Sequence, residues 1–230
     1  MGNISGMAPT RTVTSHTPRG TRRVPRKVRE QQMLEVAERA FAERGVHAAS
    51  VDAIAEASGI TKPMVYAYFG SKEGLYKACM ERARVRLLTA LQDGVDTSAP
   101  PDQQLWHGLL AVFSFVEQQH DSWAILLGEV TQGTGPFAAE GAAVRRELSA
   151  LIAELLRQAA SAEGLQTDAL GITDQLARAL MGAGESLAVW WGEHPEQKAE
   201  QVALVLMNFA WNGLGGLVEG RTWSPPAAPA

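Results

Sequence analysis

The segment ITKPMVYAYFGSKEGLY, beginning at Ile60, puts a lysine and a proline ahead of a short apolar stretch and crowds Tyr66, Tyr68 and Phe69 behind them. Val65 and Phe69 are four apart and share one side of a helix, which leaves Lys62, Pro63, Tyr66 and Ala67 on the other. Those side chains suit the groove of a duplex. Lysine reaches a phosphate or a guanine edge, a tyrosine hydroxyl donates to phosphate, and alanine or proline lets the backbone come close. Ser71 and Lys72 follow at the start of another helix, where a positive charge and free N–H groups suit a phosphate.

Other chemistries find no comparable set. The five histidines, at 16, 47, 107, 120 and 194, show no i, i+4 pairing and no cysteine ligands, which argues against a metal site. The single cysteine, Cys79, sits beside Met80 and reads as a buried, inert thiol. One cysteine also excludes a disulfide framework and fits a reducing, cytoplasmic setting. The NGLGGLVEG run has glycines but no preceding strand, so it is not a dinucleotide loop. No nucleophile, base and acid stand together, so neither catalysis nor a cofactor is expected.

The duplex-facing residues need a framework to hold them. From Arg26, Met33, Val36, Ala37, Ala40 and Phe41 recur at helical spacing, and Gly45 follows as a stop. Ser50 can cap a short helix from Val51 to Ala57, which Gly59 ends. Thr61 can cap the next helix, over 61–69. Pro63 is tolerated in its first turn because N–H groups there have no intrahelical partner. Ser71 caps a fourth helix that runs to Gly94.

Within SVDAIAEASGITKPMVYAYF, Ile54, Ile60 and Val65 supply an apolar wedge. Ala55 is small where two helices cross, and Gly59 serves a turn that wants φ > 0. The pattern is that of a helix-turn-helix, although an ordinary αα corner would carry it too. Beyond the APPD turn at 99–102, five more helices are expected near 103–119, 122–131, 137–162, 173–192 and 196–219. Without strand-like alternation the class is all-α, with about nine helices.

Charge is distributed unevenly over the 230 residues. Residues 1 to 29 carry Arg11, Arg19, Arg22, Arg23, Arg26, Lys27 and Arg29 and no acid, which leaves 14 basic against 25 acidic residues elsewhere. The net charge of −4 therefore hides a basic arm on an acidic body. The arm is rich in Ser, Thr, Gly and Pro, lacks apolar periodicity, and reads as disordered when free. It has no apolar stretch of the kind a signal peptide needs, though its composition would also suit an organellar transit peptide. The expected division is a basic arm at 1–25, a helix-turn-helix domain at 26–76, a larger helical domain at 77–222, and a flexible tail at 223–230.

The stretch from MLEVAERAFAERG through SVDAIAEASGITKPMVYAYFGSKEGLY resembles the DNA-binding domain of the TetR family of transcriptional regulators. The marks are Ala37 and Phe41, the pair Ile54 and Ala55, the run Gly59 to Lys62, Val65 with Tyr66, Tyr68 with Phe69, and Ser71, Lys72, Glu73 and Leu75. The resemblance implies contacts to a near-palindromic double-stranded operator from Thr61, Lys62, Pro63, Tyr66, Ala67 and Tyr68, with Ser50 and Lys72 gripping phosphates. Pro63 and Tyr68 depart from the glycine or alanine and the histidine that many relatives carry, which bears on sequence preference rather than on docking. It also implies a C-terminal ligand-sensing and dimerisation domain, and hence a homodimeric repressor released by a small-molecule effector.

The residues of the C-terminal part agree in outline. VALVLMNFAWNGLGGLV, at 202–218, is apolar all round and so expected to be buried, as a core helix against a partner subunit. Its length, Asn208, Asn212 and three glycines argue against a membrane span. The preceding helix holds Ala179, Gly182, Ala183, Gly184 and Ala188, small enough for close backbone approach. Two such helices per subunit make a four-helix dimer interface. Trp106, Phe113, Trp123 and Trp190 are the expected lining of an effector cavity, with Phe115, Phe137 and Trp191 as further aromatics and His107, Glu117, His120 and Glu129 as polar partners. For any single one of these aromatics, plain core is the favoured reading.

Overall fold

The computed structural model describes residues 25–132, 136–162 and 172–218. The arm up to residue 24 and the tail at 223–230 lie outside them, as do the side chains of 129–135, Glu129 included. Among the described residues there are nine helices and no strand: α1 (Arg26–Ala48), α2 (Val51–Ala57), α3 (Lys62–Phe69), α4 (Lys72–Gly94), α5 (Pro101–Gln118), α6 (His120–Gln132), α7 (Ala138–Ala162), α8 (Ile172–Gly192) and α9 (Ala199–Val218). The all-α expectation holds element by element.

Gly45 interrupts α1 as expected, but with φ 71° it turns the chain into one more short turn rather than ending the helix. Gly59 and Gly70, with φ 67° and 77°, make the sharp turns on either side of α3. An L side chain with a Cβ resists that conformation. Ser50 and Ser71 are N-caps as expected, their hydroxyls accepting from Ala53 N at 3.4 Å and Gly74 N at 3.0 Å. Thr61 stands at the N-cap of α3, but its hydroxyl makes no capping bond. Its carbonyl instead receives Met64 N at 2.9 Å and Val65 N at 3.3 Å.

The N-terminal core gathers Met33, Leu34, Ala37 and Phe41 of α1, Val51, Ile54 and Ala55 of α2, Val65 of α3, and Leu75, Tyr76, Cys79 and Met80 of α4. This packing continues past residue 76. Ile125 of α6 and Phe137, just before α7, belong to the same buried cluster, and the Phe137 ring lies 4.6 Å from that of Tyr76. Phe137 is therefore a brace between the two parts of the chain. A second core packs α5 against α8 and α9 around Phe113 and Trp191, whose rings meet edge-on at 5.9 Å. A third joins α4, α5, α6 and α7 through Ala83, Leu87, Phe115, Leu126 and Val144.

α9 departs from expectation in its start. It starts at Ala199 because its first N–H groups are met there: Gln201 Oε1 accepts from Lys198 N at 2.9 Å, and Glu117 Oε1 of α5 accepts from Ala199 N at 3.2 Å. Within one subunit it buries one face only, in keeping with a helix expected to pack on a partner subunit. Val202, Ala203, Leu206 and Ala210 are buried, while Leu204, Val205, Phe209 and Trp211 stand 51, 61, 70 and 39% exposed. Among the described residues nothing lies on that second face.

Candidate nucleic-acid interface

α3 is held by one fully buried side chain. Val65 is 0% exposed, and its burial is worth about 1.5–3 kcal/mol. Tyr68 and Phe69 pack against the same core from the side. With that face fixed, Thr61, Pro63, Tyr66 and Ala67 are exposed, and Tyr66 keeps 38% of its surface in solvent. Four of the expected DNA-contacting residues thus share one open face. Tyr68 divides between core and surface, and the Arg26 guanidinium sits over its ring at 5.0 Å. That brings the last charges of the basic arm, on the first turn of α1, next to α3.

The cations expected to meet the duplex are already engaged. Lys62 Nζ donates to Asp52 Oδ2 of α2 at 2.9 Å, and the carboxylate holds the ammonium above its usual pKa. Lys72 Nζ donates to the His47 carbonyl at 2.8 Å, tying the start of α4 to the last turn of α1. Ser50 caps α2 beside them. The N-terminus of α4 is less open to a phosphate than its sequence suggested. Ser71 Oγ takes Gly74 N, and a backbone hydrogen bond together with the Ser71 hydroxyl holds Glu73 below the usual carboxylate range. Asp52 is the residue that sequence reasoning passed over, since nothing in its spacing marks it as the partner of Lys62.

In the C-terminal part, a crevice of about 30 Å³ lies between four helices. Its lining is Leu87 of α4, Trp123, Leu126 and Leu127 of α6, Val144, Arg145 and Leu148 of α7, and Met181 and Glu185 of α8. Arg145 and Glu185 form an ion pair across α7 and α8. Trp123 Nε1 is buried and meets no acceptor among the described residues. Of the four aromatics expected to line an effector cavity, Trp123 is the one that borders this crevice. Trp106 and Phe113 belong to the α5–α8–α9 core. Trp190 is 43% exposed and stacks on His194 at 4.1 Å. The aliphatic lining went unrecognised because Leu126, Val144 and Met181 look like any core residues in sequence. Glu117, expected near a ligand, caps α9 instead. Among the described residues no helix is long and apolar enough to cross a membrane, and no three potential metal ligands come together.

Comparison with known proteins bears on both parts. A family model described as "Bacterial regulatory proteins, tetR family" matches residues 33–79, and one described as "Tetracyclin repressor-like, C-terminal domain" matches 101–213. The chain is 36% identical to a TetR-like transcriptional regulator from Rhodococcus sp. RHA1 of known structure, over 84% of this chain and 100% of that one, with a TM-score of 0.72. It is 38% identical over 100 residues to the HTH-type transcriptional activator FasR of Mycolicibacterium smegmatis, covering 44% of this chain and 45% of FasR. It is 34% identical over 92 residues to the HTH-type transcriptional repressor KstR2 of Mycobacterium tuberculosis, covering 40% of this chain and 46% of KstR2. These two matches span just under half the length of FasR and KstR2.

Proposed function

The chain belongs to the TetR family of bacterial regulatory proteins, and from that premise we propose that it is a cytoplasmic, homodimeric, DNA-binding repressor released by a small-molecule effector. The observation that carries this reading is the face of α3. Thr61, Pro63, Tyr66 and Ala67 lie open together on a helix that Val65 fixes from behind, with Lys62 and Arg26 at its edges. Two such helices, about 34–36 Å apart in a dimer, enter successive major grooves of a near-palindromic operator. Lys62 exchanges Asp52 for a phosphate or guanine on binding.

The second subunit covers α9. Leu204, Val205, Phe209 and Trp211, with Val189 and Trp190 of α8, leave two adjacent helices apolar toward solvent. Joining these faces about a two-fold axis buries them in a four-helix interface. The effector enters the crevice beside Trp123. Its lining is mostly aliphatic, so the effector is largely apolar, with an acceptor oxygen for the unpartnered Trp123 N–H. A space of about 30 Å³ has room for little more than a water. Any larger molecule must therefore part α6 and α7 from α4 and α8.

Fluorescence anisotropy on DNA from upstream of the chain's own gene, beside a scrambled duplex at two salt concentrations, tests the reading. Wild type is expected to prefer its upstream DNA, and Lys62→Ala with Tyr66→Ala to lose that preference while staying dimeric. Equal binding to both duplexes by both proteins, with only a steep salt slope, would move the binding to the basic arm. The sign of regulation is read separately. Deleting the gene is expected to raise expression from the upstream promoter, and a fall would make the protein an activator.

A further inference from the structure

Glu38, in the middle of α1, is only 3% exposed. Its partners come from two other helices. Ser122 Oγ of α6 donates to Glu38 Oε2 at 3.2 Å, and Arg86 Nη1 of α4 faces the same oxygen at 3.3 Å. Arg82 Nη1 of α4 stands 3.5 Å from Oε1, which receives no hydrogen bond. Arg86 Nη1 also reaches Gln119 Oε1, between α5 and α6, at 3.2 Å. One carboxylate thus joins the helix that carries the helix-turn-helix to the two helices that link it to the rest of the chain.

Cohesion is a poor explanation for this cluster. The contacts are long, one oxygen has an ion pair but no hydrogen bond among the described residues, and burial raises the Glu38 carboxyl above its usual range even with two guanidinium groups nearby. A buried carboxylate so loosely compensated adds little stability and often costs some. Arg82 has other partners as well: its Nη2 donates to Glu35 Oε1 at 2.9 Å. The apolar junction already holds the domains together through Ile125 and through Phe137 on Tyr76. Apolar contacts tolerate sliding, however, and hydrogen-bonded ones do not. What the cluster supplies is direction.

We propose that Glu38 is a positioning residue: through Ser122 and Arg86 it fixes the angle at which α1–α3 are carried on α4 and α6, and with it the separation of the two α3 helices. This rests on the dimer proposed above. Ser122 and Trp123 are consecutive on α6, one bonded to Glu38 and the other lining the crevice. A molecule that opens the crevice therefore displaces the anchor of α1 directly, through one turn of one helix.

The test needs neither operator nor effector. Cys79 is fully buried, and burial drives its thiol far above the usual range, so it resists labelling. A nitroxide at Ala67→Cys, on the open face of α3, then reports one distance across the full-length dimer by pulsed electron–electron resonance. Wild type is expected to give a single narrow separation. Glu38→Gln is expected to shift or broaden it by a few ångströms in a protein that still unfolds cooperatively, and Ser122→Ala, which removes a donor to the same oxygen, to do likewise. Ile125→Val serves as the control, lowering stability at the same junction without moving the distance. An unmoved distance in both polar variants, or an equal shift in Ile125→Val, overturns the proposal. Absence of dipolar coupling in wild type would remove the dimer itself, and the proposal with it.

Discussion

At the scale of single residues, Asp52 holds the Lys62 ammonium that the proposed reading hands to DNA. The pair is exposed on both sides, with side chains 42 and 68% accessible, so it contributes little to stability. It does hold an ammonium in place and neutralise it at the surface a phosphate must approach. Asp52→Asn frees the lysine and removes one repelling charge. Affinity for any duplex is expected to rise ~2–5-fold at low salt, with a steeper salt slope. Asp52 also lies in the first turn of α2, so its loss from the positive end of the helix is expected to cost about 0.3–1 kcal/mol. Anisotropy over a salt series with parallel thermal melts checks both, and unchanged affinity would mean that Lys62 does not meet the duplex. Gly59 acts on geometry instead. At φ 67° with open space around its Cα, it has room for a methyl group but not the backbone freedom for one. Gly59→Ala is expected to lower stability by about 1–2 kcal/mol through strain alone, read from denaturant unfolding. An unchanged midpoint would show that the turn relaxes.

At the scale of elements, the same periodicity that reveals a helix does not say which of its faces meets what. Apolar spacing in MLEVAERAF and the cap residues Ser50 and Ser71 made α1 to α4 legible, because caps and 3.6-residue repeats are local. Trp190 and Trp191 show where this ends. They are neighbours in sequence, yet Trp191 is buried with its N–H on the Gln197 carbonyl at 2.9 Å while Trp190 lies outside. Only the packing of α8 on α5 and α9 decides between them. α9 is ambiguous in the same way: an all-round apolar helix reads as buried, and only the fold shows which side packs on the described residues and which stays open. That side supports a direct prediction. Val205→Glu together with Phe209→Glu puts two carboxylates on the outward face and leaves the inward Val202, Ala203, Leu206 and Ala210 untouched. The double variant is expected to sediment as a folded, helical monomer and to lose operator affinity by at least ~100-fold, since a single half-site forfeits the second set of contacts. A stable dimer would place the subunit interface elsewhere.

At the scale of the molecule, the contact between its two parts is tuned by a group whose charge the fold disfavours. Groups facing Glu38 come from every side: Glu35 on its own helix by way of Arg82, Arg82, Arg86 and Cys79 on α4, and Asp121 and Ser122 on α6. Burial dominates and lifts the Glu38 carboxyl above its ordinary value, against the pull of the two arginines. The native state therefore binds this proton more tightly than the unfolded chain does. Stability from Glu38 rises as pH falls through the raised native value, and is complete below the ordinary carboxylate value. Glu73, Glu81, Asp96 and Glu140 run the other way. Hydrogen bonds hold them below their ordinary values, so their contribution is present above the ordinary range and fades as acid carries them toward their lowered ones. The two effects thus occupy separate windows, with that of Glu38 nearer neutrality. Glu38→Gln keeps the shape and removes the titration. On going from about pH 8 to about pH 4.5, wild type is expected to gain stability relative to this variant, and the difference to level off below that point as the protonated acid comes to resemble the amide. Thermal melts of both proteins across the range read this difference directly, because the other carboxylates cancel in the comparison. Parallel curves would mean that Glu38 titrates as it does in water. The junction would then be wetter and looser than its burial indicates, and too loose to fix the angle of α1.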